Sequence, residues 1–248
     1  MTKEIVVVCV GGKYNPALHI TQIYNHLKRH HNAGFRLTVI TDNPELMHST
    51  GHPIRCIRIP DWPEIVSPRQ YWWYKIAMFS PDIKWLSAQV LYMDLDTILV
   101  NDISKFWDYE LDKFCICQDF NRQFKSEYTV SNSSVIRFCP SVDYAIYANF
   151  DANRQSIMRK FRGDQDYITD WFRDKSDSIA WWPREWAMSY KWEILHGGSK
   201  HGNPTIVYPT DYINPDMPWV VPDECSIAVF HGKPDPYETN FGIANKIG

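Results

Sequence analysis

No apolar run in this chain approaches the roughly 20 residues a helix needs to cross a bilayer; the longest are strand-length. Ile5–Val10 is also too short for the apolar region of a secretory leader and runs directly into Gly11-Gly12-Lys13. Both absences predict a cytoplasmic protein without a membrane span. Net charge is scarce too: 26 basic against 29 acidic residues leave −3, which argues against broad electrostatic capture of nucleic acid. Cysteines at 9, 56, 115, 117, 139 and 225 are too scattered for the disulfide framework of a small secreted domain. Cys115 and Cys117 would share one strand face, yet no second close pair completes a zinc site, so buried core thiols are expected. Internal repeats and low-complexity tracts are missing as well.

Aromatic residues, by contrast, are abundant. Eleven Trp, 14 Tyr and 12 Phe among 248 residues could fill a core, stack on sugar rings or stack on bases. A chain of this length suits one α/β domain with a sizeable core. Ile5–Val10 reads as a strand ending in glycines, and Pro16–His31 follows with Ile20, Ile23, Tyr24 and Leu27 at helical spacing. Phe35–Thr41 and Pro53–Ile59 are further strands, Arg69–Phe79 a helix, and Val90–Val100 a buried strand interrupted by two aspartates. In the second half, strands are predicted at Phe114–Gln118, Val130–Phe138, Thr205–Tyr208 and Ile227–Phe230, and helices at Val142–Asn149 and Asp164–Phe172. Trp182–Asp223 reads as loops around one short helix near Glu185–Ile194. Strands separated by helix-sized segments imply a largely parallel sheet with ligands at the carboxyl ends of its strands.

Chemistry concentrates in Tyr92-Met93-Asp94-Leu95-Asp96-Thr97. On extended backbone, residues two apart project to one side. Two unpaired carboxylates about 4 Å apart repel by roughly 1 kcal/mol in water and roughly 4 kcal/mol at an effective dielectric of 20. Charges on an otherwise apolar strand need compensation, and a cation supplies it; carboxylates suit Mg²⁺ or Mn²⁺, which complete their shells with phosphate oxygens. The plainer reading is a strand end whose aspartates cap a turn.

This run resembles the D-x-D motif of GT-A glycosyltransferases, particularly the group that includes glycogenin and bacterial lipopolysaccharide glycosyltransferases. Val8-Cys9-Val10-Gly11-Gly12-Lys13-Tyr14 is similar to the group's nucleotide-binding loop. Ser131–Ile136 resembles its asparagine-containing strand, Gly163-Asp164-Gln165-Asp166 its D-Q-D segment, and Val229–Pro234 its terminal histidine, glycine and Lys-Pro motif. The motifs occur in the family's order from about residue 5 to about residue 235. The resemblance implies a single GT-A domain over 1–248: a Rossmann-like nucleotide-binding half to about residue 100, a sugar- and acceptor-binding half beyond it, and a central, mostly parallel mixed sheet.

It also implies a metal, Mn²⁺ or Mg²⁺, held by Asp94, Asp96 and His231, and a UDP-sugar donor. Lys233 would neutralise the leaving diphosphate, although it stands closer to its histidine than the group's lysine does. Asn132, Asp164 and Gln165 would lie near the sugar, with retention of configuration. Inversion would instead need a carboxylate base such as Asp164, Asp166 or Glu185. Val10, Gly11 and Gly12 permit close backbone approach to a nucleotide. Tyr14 could stack on the base, and Asp42 is a candidate for base or ribose as well as a plain turn residue. Arg69 and Lys75 are candidates for the diphosphate or solvated helix charges. Trp181, Trp182, Trp186 and Trp192 form an aromatic cluster suited to a sugar acceptor or to a small core under loops. Arg154, Arg159, Lys160 and Arg162 are either a solvated helix face or the lining of a groove for a hydroxymethylated base in DNA. Two other readings stay open: a sugar-phosphate nucleotidyltransferase, although no glycine-rich basic triphosphate loop is evident, and a non-catalytic carbohydrate-binding module.

Overall fold

The computed structural model describes residues 2–11, 14–47, 50–120, 129–195 and 219–245. A seven-stranded sheet ordered β3-β2-β1-β4-β7-β6-β8 forms the centre, and a three-stranded sheet ordered β5-β10-β9 packs beside it. Strand β1 (Lys3–Cys9) is continuous and β-branched, and lies parallel to both β2 (Phe35–Thr41) and β4 (Val90–Met93). Strand β3 (Arg55–Arg58) extends the parallel side. β7 (Ser131–Phe138) runs antiparallel to β4 and β6 (Phe114–Gln118), while β8 (Ile179–Trp181) is parallel to β6. The sheet is therefore mostly parallel and mixed, as expected.

Helix α1 (Pro16–His30) starts where Asn15 accepts from the Leu18 amide, has proline in its first turn, and buries Ile20, Ile23 and Leu27 against the sheet. After the short α2 (Pro44–Met47), the expected helix at 69–79 appears as continuous 3₁₀ turns over Pro68–Phe79. Such turns align every third residue, and Trp73, Ile76 and Phe79 are all buried along one row. α3 (Pro140–Lys160) extends well beyond the predicted 142–149, whereas α4 (Asp164–Trp171) begins where expected.

Val90–Val100 is not one strand. β4 stops at Met93, residues 94–96 turn, and β5 (Thr97–Leu99) joins the second sheet. The Thr97 hydroxyl closes the turn by donating to the Asp94 carbonyl at 2.7 Å. The two aspartates thus sit on a turn rather than on extended backbone. β5 pairs antiparallel with β10 (Ile227–Val229), which is parallel to β9 (Ala187–Ser189). The helix expected near Glu185–Ile194 is instead β9 followed by one wide turn at Tyr190–Ile194. The predicted strand Thr205–Tyr208 lies outside the described residues.

Candidate functional site

Strand pairing brings distant motifs to one end of the sheet. Val6 of β1 lies opposite Tyr92 of β4, so the loop beginning at Val10 emerges beside Asp94. On the other flank Val135 lies opposite Met93, and the Asp94 amide donates to the Ser134 carbonyl at 2.9 Å, placing Asn132-Ser133-Ser134 next to the acidic turn. In the second sheet Val229 pairs with Thr97 and the Phe230 amide donates to the Asp96 carbonyl at 3.0 Å, which carries His231 to the same place.

Two cavities share Trp72, Lys75, Asp94 and Asp96 as a common wall. One, of about 400 Å³, is also lined by Val10, Gly11, Tyr14, Arg69 and Tyr71. Gly11 adopts φ +75°, and a Cβ there would fall 1.9 Å from the Tyr71 ring, so only glycine lets the loop pass under that ring. The other, of about 610 Å³, is lined by Asn132, Asp164, Gln165, Asp166 and His231, with Asp119 and Arg162. Gly12 lies outside the described residues.

Lys75 is the hub. Its ammonium is buried, 3.0 Å from Asp94 and 3.4 Å from Asp164, and donates to the Ser133 carbonyl and hydroxyl at 3.2 and 2.9 Å. Burial alone would lower its pKa, but Asp164 and then Asp94 hold it above the usual lysine range. The sequence alternative of a solvated helix charge is thus excluded for Lys75; Arg69 is exposed at the cavity rim. Asp94 also accepts from the Tyr92 hydroxyl, and Asp96 from the Tyr14 hydroxyl at 3.3 Å. Asp164 is buried with its pKa raised, by burial first and against the pull of Lys75, and its Oδ2 accepts no hydrogen bond. Asn132 Oδ1 accepts from the Ser134 amide at 3.0 Å, and Gln165 donates to Asp119 at 3.1 Å.

His231 is clamped. Its ring stacks on Phe120 at 4.9 Å, meets Trp192 edge-on at 4.5 Å, and Nε2 lies 2.7 Å from the Ser189 hydroxyl. Burial, with Lys191 second, drops its pKa to about 3, so the ring is neutral near pH 7. Among the described residues no group of three or more His, Cys, Asp or Glu side chains is drawn together closely enough to hold a metal ion.

Several expected residues are occupied elsewhere. Asp42 accepts from the Gly11 amide at 2.9 Å and so braces the loop, lining neither cavity. Lys233, 56% exposed, pairs with Asp235 at 2.6 Å and Glu238 at 2.8 Å rather than facing a cavity. Glu185 is exposed and lines neither cavity. Trp182 is core: it packs on Phe106 at 4.8 Å and donates to the Val135 carbonyl at 3.1 Å. Trp186 and Trp192 pack against the same core, and Trp181 is at the surface. Arg154 pairs with Glu64 at 3.0 Å and Lys160 with Asp170 at 3.1 Å, and Arg159 is exposed, so of the basic stretch only Arg162 lines a cavity. All six cysteines are free. Asp119, Tyr71 and Trp72 were missed from sequence; an acid directly after β6 was the one available signal for Asp119.

No protein-family profile and no curated relative matches the chain in sequence. Solved structures do match in fold, and they define its class: the chain has the α/β fold of GT-A-type glycosyltransferases. The galactosyltransferase LgtC, solved with donor and acceptor sugar analogs, superimposes with TM-score 0.59 at 14% identity, over 94% of this chain and 89% of that one. The apo glycosyltransferase GlyE of Streptococcus pneumoniae TIGR4 gives 0.59 at 14% identity, over 96% of this chain and 56% of its own. The bifunctional WbbM gives 0.62 at 13% identity, with this chain spanning half of its length. Among the described residues no helix is long and apolar enough to cross a membrane.

Proposed function

We propose that the protein is a metal-dependent glycosyltransferase that moves a sugar from a nucleotide-diphosphate sugar, a UDP-sugar, to a hydroxyl acceptor. The observation that carries this reading is the convergence of Asp94, Asp96 and His231 with Asn132, Asp164 and Gln165 around one of two adjoining cavities at the carboxyl ends of β1 and β4. The smaller cavity, with its glycine loop and aromatic wall, suits a nucleoside; the larger suits the sugar.

The donor atoms are of the kind that suits Mn²⁺ or Mg²⁺, although the described side chains would have to draw closer together to hold the ion. Among the described residues, Asp94, Asp96, Asp119, Asp164 and Asp166 line the larger cavity against Lys75 and Arg162, an excess of acidic groups that a divalent cation would balance. Asp94 and Asp96 would hold the ion, with His231 contributing Nδ1 because Nε2 is taken by Ser189. When bound, the ion supplies charge neutralisation for the departing diphosphate. Lys75 fixes Asp94 and Asp164 relative to each other, and Ser189, Phe120 and Trp192 fix the imidazole. Asn132, Asp164 and Gln165 orient the sugar, with retention of configuration. The same surplus of carboxylates repels a polyanion, which favours a glycan hydroxyl over a hydroxymethylated DNA base as acceptor. Six free thiols fit a reducing, cytoplasmic setting.

Hydrolysis and transfer measured across UDP-sugars with and without Mn²⁺ test the reading, with Asp96→Ala as control. Metal-dependent release of UDP, lost in the variant, is expected. Equal activity in Asp96→Ala removes the metal assignment. Pyrophosphate release from a nucleoside triphosphate and a sugar phosphate would favour a nucleotidyltransferase, and EDTA-insensitive sugar binding without turnover a carbohydrate-binding module.

A further inference from the structure

Lys233 is bound to two carboxylates at the surface, yet a second lysine stands behind the cavity-lining residues His231 and Gly232 without one. Lys191 lies on the wide turn after β9, half-buried, and donates from Nζ to the His231 carbonyl at 2.7 Å. A carbonyl satisfies one N–H but does not neutralise the charge. Glu193, two residues on, is engaged by Arg184 at 2.9 Å and by the Ser189 amide at 2.8 Å. Among the described residues no carboxylate forms an ion pair with Lys191. The Trp192 ring, 5.1 Å from Nζ, steadies the ammonium from one side.

On another side is Gly232, which with His231 lines the larger cavity. A Cβ at Gly232 would sit 3.5 Å from Lys191 Nζ, so the ammonium lies against a residue that has no side chain to screen it. A partly desolvated cation lacking a counter-ion, next to a ligand cavity, favours an anionic ligand. We infer that Lys191, rather than Lys233, is the protein cation that receives the diphosphate of the donor at this site. The assignment rests on the donor reading above. It makes Lys191 part of the binding machinery: two N–H groups remain for phosphate oxygens, and the third ties the ammonium to the loop that carries His231.

Calorimetric titration of UDP in the presence of Mn²⁺, beside uridine measured by competition, tests this on the wild type and on Lys191→Gln, Lys191→Arg and Lys233→Gln. Loss of one charge-assisted phosphate contact is expected to weaken UDP about 10- to 100-fold in Lys191→Gln. Uridine affinity should move less than about threefold, Lys191→Arg should recover most of the loss, and Lys233→Gln should bind UDP like the wild type. Thermal melts followed by circular dichroism establish that each variant is folded; if Lys191→Gln is not, Lys191→Met, which keeps the length of the stem without the charge, takes its place with the same expected loss. Unchanged UDP affinity in Lys191→Gln, a parallel loss of uridine and UDP, or a loss confined to Lys233→Gln overturns the assignment. A wild type that binds none of UDP, GDP, CDP and TDP overturns the donor reading itself, and the assignment with it.

Discussion

Replacing Lys75 by methionine keeps most of the side-chain volume and removes the charge, which isolates what the ammonium does. In the wild type it lies 3.0 Å from Asp94 and 3.4 Å from Asp164 and donates twice to Ser133. Asp164 is buried, so its carboxylate loses the cation that offsets burial. Removing one partner of a buried pair costs about 3–5 kcal/mol. For a domain of this size that corresponds to a fall in Tm of about 6–20 °C. The loss must depend on pH, with a definite sign. The folded-state pKa of Asp164 is already raised above 3.8, and losing Lys75 raises it further. A carboxyl raised in the folded state binds its proton more tightly there, so stability rises as pH falls through the folded pKa and levels off below the unfolded value. The gap between variant and wild type should therefore be widest at pH 7 to 8 and narrow toward pH 4 to 5. Differential scanning calorimetry across that range reads both. A Lys75→Met protein that melts within about 2 °C of wild type at pH 7, or a gap that widens on acidification, would refute the account of Lys75 as a charge hub.

Asp143 offers a second pH signature. Burial, opposed by its hydrogen bond from the Cys139 amide, raises its pKa from 3.8 to about 6. Its ionised form costs about 3 kcal/mol at pH 7, a cost relieved as pH falls through about 6 and absent below about 3.8. Asp143→Asn should thus be more stable relative to wild type at pH 7 than at pH 4, as read by urea unfolding at the two values; an advantage independent of pH contradicts it. Gly11→Ala sets a methyl into the Tyr71 ring at φ +75°, and should weaken nucleotide binding at least tenfold while costing about 1–3 kcal/mol of stability. Calorimetry with UDP checks this, and wild-type affinity in the variant would show that the loop does not approach the ligand. Asp96→Ala should lower metal-dependent turnover at least 100-fold, with Tm changed by only a few degrees because Asp96 sits on a turn and not in the core.

Local pattern carried much of the fold. β-branched runs defined β1 and β2, and apolar residues three and four apart defined α1, because strand and helix periodicities are properties of neighbouring residues. The acidic pair was legible as chemistry because charge interrupting an apolar run is conspicuous without coordinates, and Asn132 and Asp164-Gln165 because they fall in motifs the resemblance carries. Tertiary structure decided which partner each charge takes. From sequence Lys233 and Lys75 are candidates for the diphosphate and Lys191 has no role; the fold buries Lys75 between two aspartates, ties Lys233 to Asp235 and Glu238, and leaves Lys191 beside His231 without a carboxylate. The tryptophan cluster likewise proved to be mostly core once Phe106 and Val135 arrived from elsewhere in the chain. The break of Val90–Val100 into two sheets was equally invisible, because it is set by pairing of β5 with β10, some 130 residues away. The sequence by itself determined which residue types were available for the proposed donor site. Only the tertiary structure decided their pairing, because Coulomb and hydrogen-bond energies depend on through-space distance and burial, which sequence separation does not encode.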